Sequence, residues 1–258
     1  MHAPLPPRPS TVSDVRTNLD VVRREIAAAC ERAGRDATGV RLLPVTKELP
    51  DETLRLAYAA GCREFGENKV QEADRKSASL SDLSDVHWSV IGHLQTNKAR
   101  HVARFAAEFQ ALDSLRVAEA LDRRLQARER TLDVLVQVNT SDEASKFGLR
   151  PSDLEAFLEQ LPRYPALRVR GLMTLAVFSA DRERVRACFI RLRELRDRAR
   201  TRAPNGVSLD ELSMGMSGDY PVAIEEGATI VRVGQALFGS RALTDEHYWP
   251  GAADGRRP

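Results

Sequence analysis

Lysine is scarce in this 258-residue chain: of its 39 Lys and Arg residues only five are lysine (Lys47, Lys69, Lys76, Lys98 and Lys146), leaving 34 arginines. Arginine stays protonated, so chemistry that needs a neutral amine must draw on those five. Cysteine is scarcer still. Cys30, Cys62 and Cys188 are odd in number, far apart and outside any CxxC or Cys/His cluster. That pattern excludes a disulfide frame and a zinc site, and points to reduced thiols in a cytoplasmic protein. No apolar run approaches the length of a membrane span. The opening stretch, 1–9, has neither the basic nor the apolar region of a signal peptide. Net charge is only +2, so the overall balance calls for neither nucleic acid nor a membrane surface.

The chain does have 42% hydrophobic and 29% charged residues, the make-up of an ordinary soluble domain. Apolar positions recur at helical spacing over 13–33, and Gly34 provides the stop. Short apolar runs then predict strands at 40–45, 64–66, 87–91, 109–112, 133–138, 169–172, 211–214 and 229–233. Helical patterns lie between them at 50–60, 67–76, 96–106, 114–128, 151–161, 181–202 and 219–226. The alternation predicts an α/β fold, a single (β/α)8 TIM-type barrel with an extra N-terminal helix. On this reading the barrel spans 13–245, with a disordered tail at 1–12 and a C-terminal tail at 246–258. An open doubly wound sheet shares the strand count, but no GxGxxG turn follows the first strand.

Barrel chemistry belongs at the C-terminal strand ends, and phosphate often sits in the loops after strands seven and eight. Strand one ends at Lys47, which alternation places on one face with Leu43 and Val45. An amine above aliphatic side chains loses protonation more easily, as imine formation with an aldehyde cofactor requires. The alternative is a rim lysine reaching water. Strand seven leads into Ser213, Met214, Gly215, Met216, Ser217 and Gly218, with Asp219 placed to cap the next helix. After strand eight come Gly234 and Gln235. Either loop alone is a tight turn; together they form a phosphate signal. Arg232 shares a face with Ile230 and Gly234, and is either aimed at the ligand or in an ion pair inside the barrel. A guanidinium only donates, so facing a pyridine nitrogen it would keep that nitrogen unprotonated. Asn68 follows strand two and is either a ligand contact or a helix cap. Lys146, in the polar loop after strand five, is either an accessory contact to phosphate or aldehyde or a solvated lysine. Lys76 reads as surface. The 88–98 segment either borders the pocket or caps a helix, and His93 has no Ser or Cys partner with which to build a triad. The arginine-rich stretch 181–202 reads as a solvated outer helix rather than a site for RNA.

These residues together resemble the pyridoxal phosphate homeostasis protein family, single-barrel relatives of the alanine racemase N-terminal domain. The matching segments, in family order, are VTK at 45–47, FGEN at 65–68, WSVIGHLQTNK at 88–98, SKFG at 145–148, LSMGMSGD at 212–219, and VRVG at 231–234 with LFG at 237–239. Ser89 departs from the pattern, since a histidine is common there. The resemblance implies a protein that holds pyridoxal 5′-phosphate (PLP) as a Schiff base on Lys47 and makes it available to other enzymes. Asn68, Ser213, Ser217, Gly218, Arg232, Gly234 and Gln235 would surround the cofactor. It further implies a monomer without a catalysed reaction, whose partners are PLP and PLP-dependent apo-enzymes. The competing expectation is an amino-acid racemase-like PLP enzyme. Racemisation needs an acid and a base on opposite faces of the substrate adduct, and the sequence offers no convincing second group beside Lys47.

Overall fold

The computed structural model describes residues 5–143 and 146–240. Its strands are β1 (Arg41–Pro44), β2 (Glu64–Glu67), β3 (His87–Val90), β4 (Glu108–Leu112), β5 (Leu132–Gln137), β6 (Leu167–Met173), β7 (Val207–Ser213) and β8 (Ile230–Val233). All pair in parallel, in the order β1-β8-β7-β6-β5-β4-β3-β2. The two ends of that series meet at a single bridge, Val45 to Gly66, where the Thr46 N–H donates to the Gly66 carbonyl (3.0 Å). The expected barrel is therefore present and nearly closed. Strands packed on both faces read as continuous apolar runs, and all five residues of β4 are buried.

A helix follows each strand: α2 (Asp51–Ala59), α3 (Val70–Ser79), α4 (Ala99–Phe105), α5 (Leu115–Gln126), α6 (Leu154–Gln160), α7 (Arg182–Arg200), α8 (Tyr220–Glu225) and α9 (Gln235–Phe238). The last of these, not foreseen from periodicity, is a single turn. The N-terminal helix α1 (Val12–Arg32) packs against α2, α8 and α9 and covers the side that so short a helix leaves open. Its buried stripe is Val15, Leu19, Val22, Ile26, Ala29 and Cys30. Each large aliphatic side chain there contributes about 1.5–3 kcal/mol by leaving water. Polar ties fix the docking: Asn18 Nδ2 donates to the Leu237 carbonyl (2.8 Å), and Tyr220 donates to Glu25.

Within the 1–12 stretch the described residues begin at Leu5. Thr11 and Asp14 form a reciprocal capping box that starts α1 at Val12. Pro9 is buried, and Arg8 Nε donates to the Ser240 carbonyl (3.3 Å). The expected C-terminal tail at 246–258 lies outside the described residues, as does the end of the 13–245 span. On the arginine-rich α7 the inner face is apolar (Val185, Cys188, Phe189, Leu192, Leu195, Ala199), as a solvated outer helix requires. No helix among the described residues is long and apolar enough to cross a membrane.

Candidate functional site

The register of β1 against β8 pairs Leu43 with Arg232 and Pro44 with Val233, so Leu43 and Arg232 share the inner face. The Val45 side chain lies with that of Leu43 against Gly66 of β2. Lys47 itself is half-buried in a turn just past β1. Gly234 lies against the same segment: a Cβ added to it would stand 3.2 Å from the Val45 carbonyl oxygen. The loop after β8 thus abuts the strand that ends at Lys47.

The loops after β7 and β8 are joined by one hydroxyl. Ser217 Oγ accepts the N–H groups of Gly234 (3.1 Å) and Ala236 (3.3 Å). Two backbone donors therefore converge on one oxygen at the barrel mouth, an arrangement that also suits an anion. Gly218 is exposed with open space where a Cβ would be, and Gln235 is half-buried at the start of α9. Asp219 does not cap α8 through its side chain, as the sequence suggested. Its carboxylate turns back to accept the Met216 N–H (2.5 Å) and tightens the loop instead.

Arg232 is buried inside the barrel. Nη1 donates to Ser213 Oγ (2.6 Å) and Nη2 to the Thr174 carbonyl (2.8 Å). Burial pulls its ionisation down to about 10, with the charge of Asp219 opposing, which still leaves a guanidinium at neutral pH. Both of these hydrogen bonds go to neutral oxygens rather than to a carboxylate. Ser213 is fully buried, and its hydroxyl serves Arg232 and Gln110 Oε1 (2.6 Å) within the barrel rather than reaching the mouth. Gln110 Nε2 donates in turn to Glu108 (2.6 Å), which also takes Ser89 Oγ (2.8 Å) and Arg41 (2.6 Å). A polar chain thus runs through the core from Arg41 at the start of β1 to Arg232 near its opposite end. Sequence reading missed it, although Ser89 and Gln110 were visible as polar residues inside predicted strands.

Asn68 sits half-buried after β2, with its backbone against Gly92; a Cβ at Gly92 would come within 2.2 Å of the Asn68 carbonyl oxygen. The helix-cap alternative for Asn68 is not realised, since the N-cap position of α3 is Lys69. Lys146 is drawn in, with Nζ donating to the Ala176 carbonyl (2.7 Å) and paired with Glu143. Next to it the Phe147 ring stacks on His93 (centroids 3.9 Å apart), and His93 Nδ1 lies 3.5 Å from Asp113. Burial pushes the Asp113 carboxyl up, with His93 opposing. The 88–98 segment therefore borders the loop that carries Lys146.

The model for the alanine racemase N-terminal domain matches residues 17–242. A pyridoxal phosphate homeostasis protein of Pseudomonas aeruginosa is 44% identical over 230 residues, covering 89% of this chain and 97% of that protein. The chain belongs to the pyridoxal phosphate homeostasis protein family. Within the family, the solved structure of PipY from Synechococcus elongatus with PLP bound is 37% identical, with a TM-score of 0.77 over 87% of this chain and all of that one. Alanine racemase from Streptomyces lavendulae shares the fold at 16% identity (TM-score 0.68, 93% of this chain and 61% of that one).

Lys76 of this family member also differs from the sequence reading. Lys76, read as surface, is fully buried behind β1. Its Nζ donates to the Thr46 carbonyl (2.7 Å), Glu67 Oε1 (2.8 Å) and Glu72 Oε1 (2.7 Å). A lysine is rarely buried unless paired, and here all three of its donors are taken. Burial pushes the Glu67 carboxyl up, while the Lys76 ammonium and the Thr46 hydroxyl pull it back.

Proposed function

We propose that this chain binds PLP at the barrel mouth, held by Lys47 as a Schiff base, and makes it available to PLP-dependent apo-enzymes without turning over a substrate. The observation that carries this reading is Ser217 gathering two backbone N–H groups beside the Lys47 strand. With both of its lone pairs taken by those donors, the Ser217 hydroxyl keeps its O–H for a phosphate oxygen, and a lysine amine follows the adjoining strand for an aldehyde. PLP, when bound, supplies that aldehyde, with a pyridine ring and a phosphate group at fixed positions from it.

The residues present fit such a ligand. Ser217, Gly218, Gly234 and Gln235 surround the phosphate. Arg232 can only donate, so it favours an unprotonated ring nitrogen and a weak electron sink. That suits retention of the cofactor better than carbanion chemistry. Asn68 lies beside the ring, Ser213 acts at one remove by holding Arg232, and Lys146 is an accessory amine. The protein acts as a cytoplasmic monomer. PipY with PLP bound and the homeostasis names of the relatives support the reading.

Borohydride reduction of the purified protein, followed by peptide mapping, tests it. The reduced adduct is expected on Lys47, and a Lys47→Ala protein that kept the adduct would overturn the assignment. Incubating loaded protein with L-amino acids in D2O separates carrier from racemase-like enzyme. Multiple-turnover exchange of the α-proton would establish the enzyme.

A further inference from the structure

The residues on either side of Lys47 are tied to one buried charge cluster. On the N-terminal side the Thr46 carbonyl accepts from Lys76 Nζ (2.7 Å) and the Thr46 hydroxyl donates to Glu67 Oε1 (2.7 Å). On the C-terminal side the Glu48 N–H donates to Glu72 Oε1 (2.7 Å). Lys76 Nζ joins the two halves by donating to both of those carboxylate oxygens, at 2.8 and 2.7 Å. Glu48 has φ of 63°, a left-handed conformation unusual for a residue other than glycine, asparagine or aspartate. Such a backbone persists where surrounding contacts over-determine it.

A simpler account is that the cluster only fastens α3 to β1. Burying an ammonium and a carboxylate side by side is a poor way to do that, because apolar residues of the same volume usually hold a helix at least as well. Hydrogen-bonded charges do specify position. Here the positions specified are the two neighbours of the one lysine at the end of β1, one of them in a strained conformation.

We propose that Lys76, with Glu67 and Glu72, is a positioning cluster that fixes the backbone on both sides of Lys47 and so sets the direction of its amine. This rests on the reading of Lys47 as the PLP lysine. Lys76 itself touches no cofactor; it acts through the Thr46 carbonyl and through the two glutamates. Arginine would not replace it, since a planar fork cannot direct three donors from one nitrogen.

The test compares Glu72→Ala with Glu72→Gln, a site near enough to the surface for both variants to fold (side chain 20% exposed). Glutamine keeps an oxygen for the Glu48 N–H, and alanine does not. In PLP-free protein, Glu72→Ala is expected to speed hydrogen exchange of the Glu48 amide about tenfold, with Glu72→Gln close to wild type. Acylation of Lys47 by acetic anhydride, scored against Lys98 at the start of α4, should change in the alanine variant only. In loaded protein the yield of borohydride-fixed PLP at Lys47 should follow the same order. Lys76→Met should reproduce Glu72→Ala; if it fails to fold, the Glu72 pair decides. Wild-type exchange at Glu48 and wild-type acylation of Lys47 in Glu72→Ala would overturn the proposal, as would equal effects on Lys47 and Lys98. If the wild-type protein fixed no PLP on Lys47, the cofactor reading would fail. The exchange and acylation measurements would still judge the cluster.

Discussion

Arg232 on β8 donates to Ser213 on β7 across 2.6 Å, and the same hydroxyl donates onward to Gln110 on β4, also at 2.6 Å. A buried guanidinium with neutral partners depends on each of them. Ser213→Ala removes an acceptor from Arg232 and a donor from Gln110 at once. A loss of about 2 kcal/mol is expected in urea unfolding, together with weaker PLP binding as the arginine shifts. Unchanged values for both would show that the hydroxyl is dispensable to Arg232.

Ser217→Ala leaves the Gly234 and Ala236 N–H groups without their oxygen. If that oxygen also belongs to the phosphate site, PLP should bind about tenfold more weakly, while pyridoxal, which has no phosphate, should bind as before. Equilibrium dialysis of the two compounds makes the comparison. An equal loss for both would place the serine elsewhere in the ligand's surroundings.

Gly92→Ala would drive a methyl group to 2.2 Å from the Asn68 carbonyl oxygen. Backbone cannot yield as a flexible side chain does. The expected outcome is a loss of about 1–3 kcal/mol and reduced PLP affinity, because Asn68 must move. Gly61→Ala is the control, since its Cβ meets nothing within 4 Å, although its φ of 109° adds backbone strain of its own. Calorimetry and PLP titration of both variants separate displacement of Asn68 from loss of a glycine.

The Asp51 carboxylate, at the start of α2, takes Arg75 of α3 by both Nη atoms (3.0 and 2.8 Å). The hydrogen bonds from Arg75 hold its carboxyl down to about 2, against the opposing effect of burial. A depressed carboxyl stabilises the fold fully above its unfolded value near 4 and loses that contribution as pH falls towards 2. Because Arg75 is half exposed, solvent screening reduces the expected effect to about 1 kcal/mol. Asp51→Asn should be less stable than wild type at pH 7, and the two should converge near pH 2.

The barrel was legible in the sequence because its strands are buried on both faces and its helices on one. Those are the two periodicities that a sequence displays most plainly. The strand-end rule then singled out Lys47, Ser217 and Gly234 as candidates, and strand alternation singled out Arg232. Lys76 escaped for a different reason. It lies three residues after the buried Ala73 on the inner face of α3, so its position was readable, but its charge argued for the surface. Only the arrival of Glu67 and the Thr46 carbonyl from other elements makes burial tolerable, and a chain read in order does not show that meeting. Ser213, which the strand expected at 211–214 contains, is the last residue of β7, but its pairing with Gln110 and Arg232 from other strands was not legible in the sequence.

The bridge between Val45 and Gly66 gives the barrel the character of a hoop with a single clasp. The clasp sits between the segment that ends at Lys47 and the one that leads to Asn68. A ligand bound to both sides would act as a second fastener on the same joint, so that loading and circumferential closure would favour one another by mass action. The seam on the other flank is as slender, since β7 meets β8 at the pair Ser213 and Ile230, so β1 and β8 form a two-strand panel set between two narrow joins.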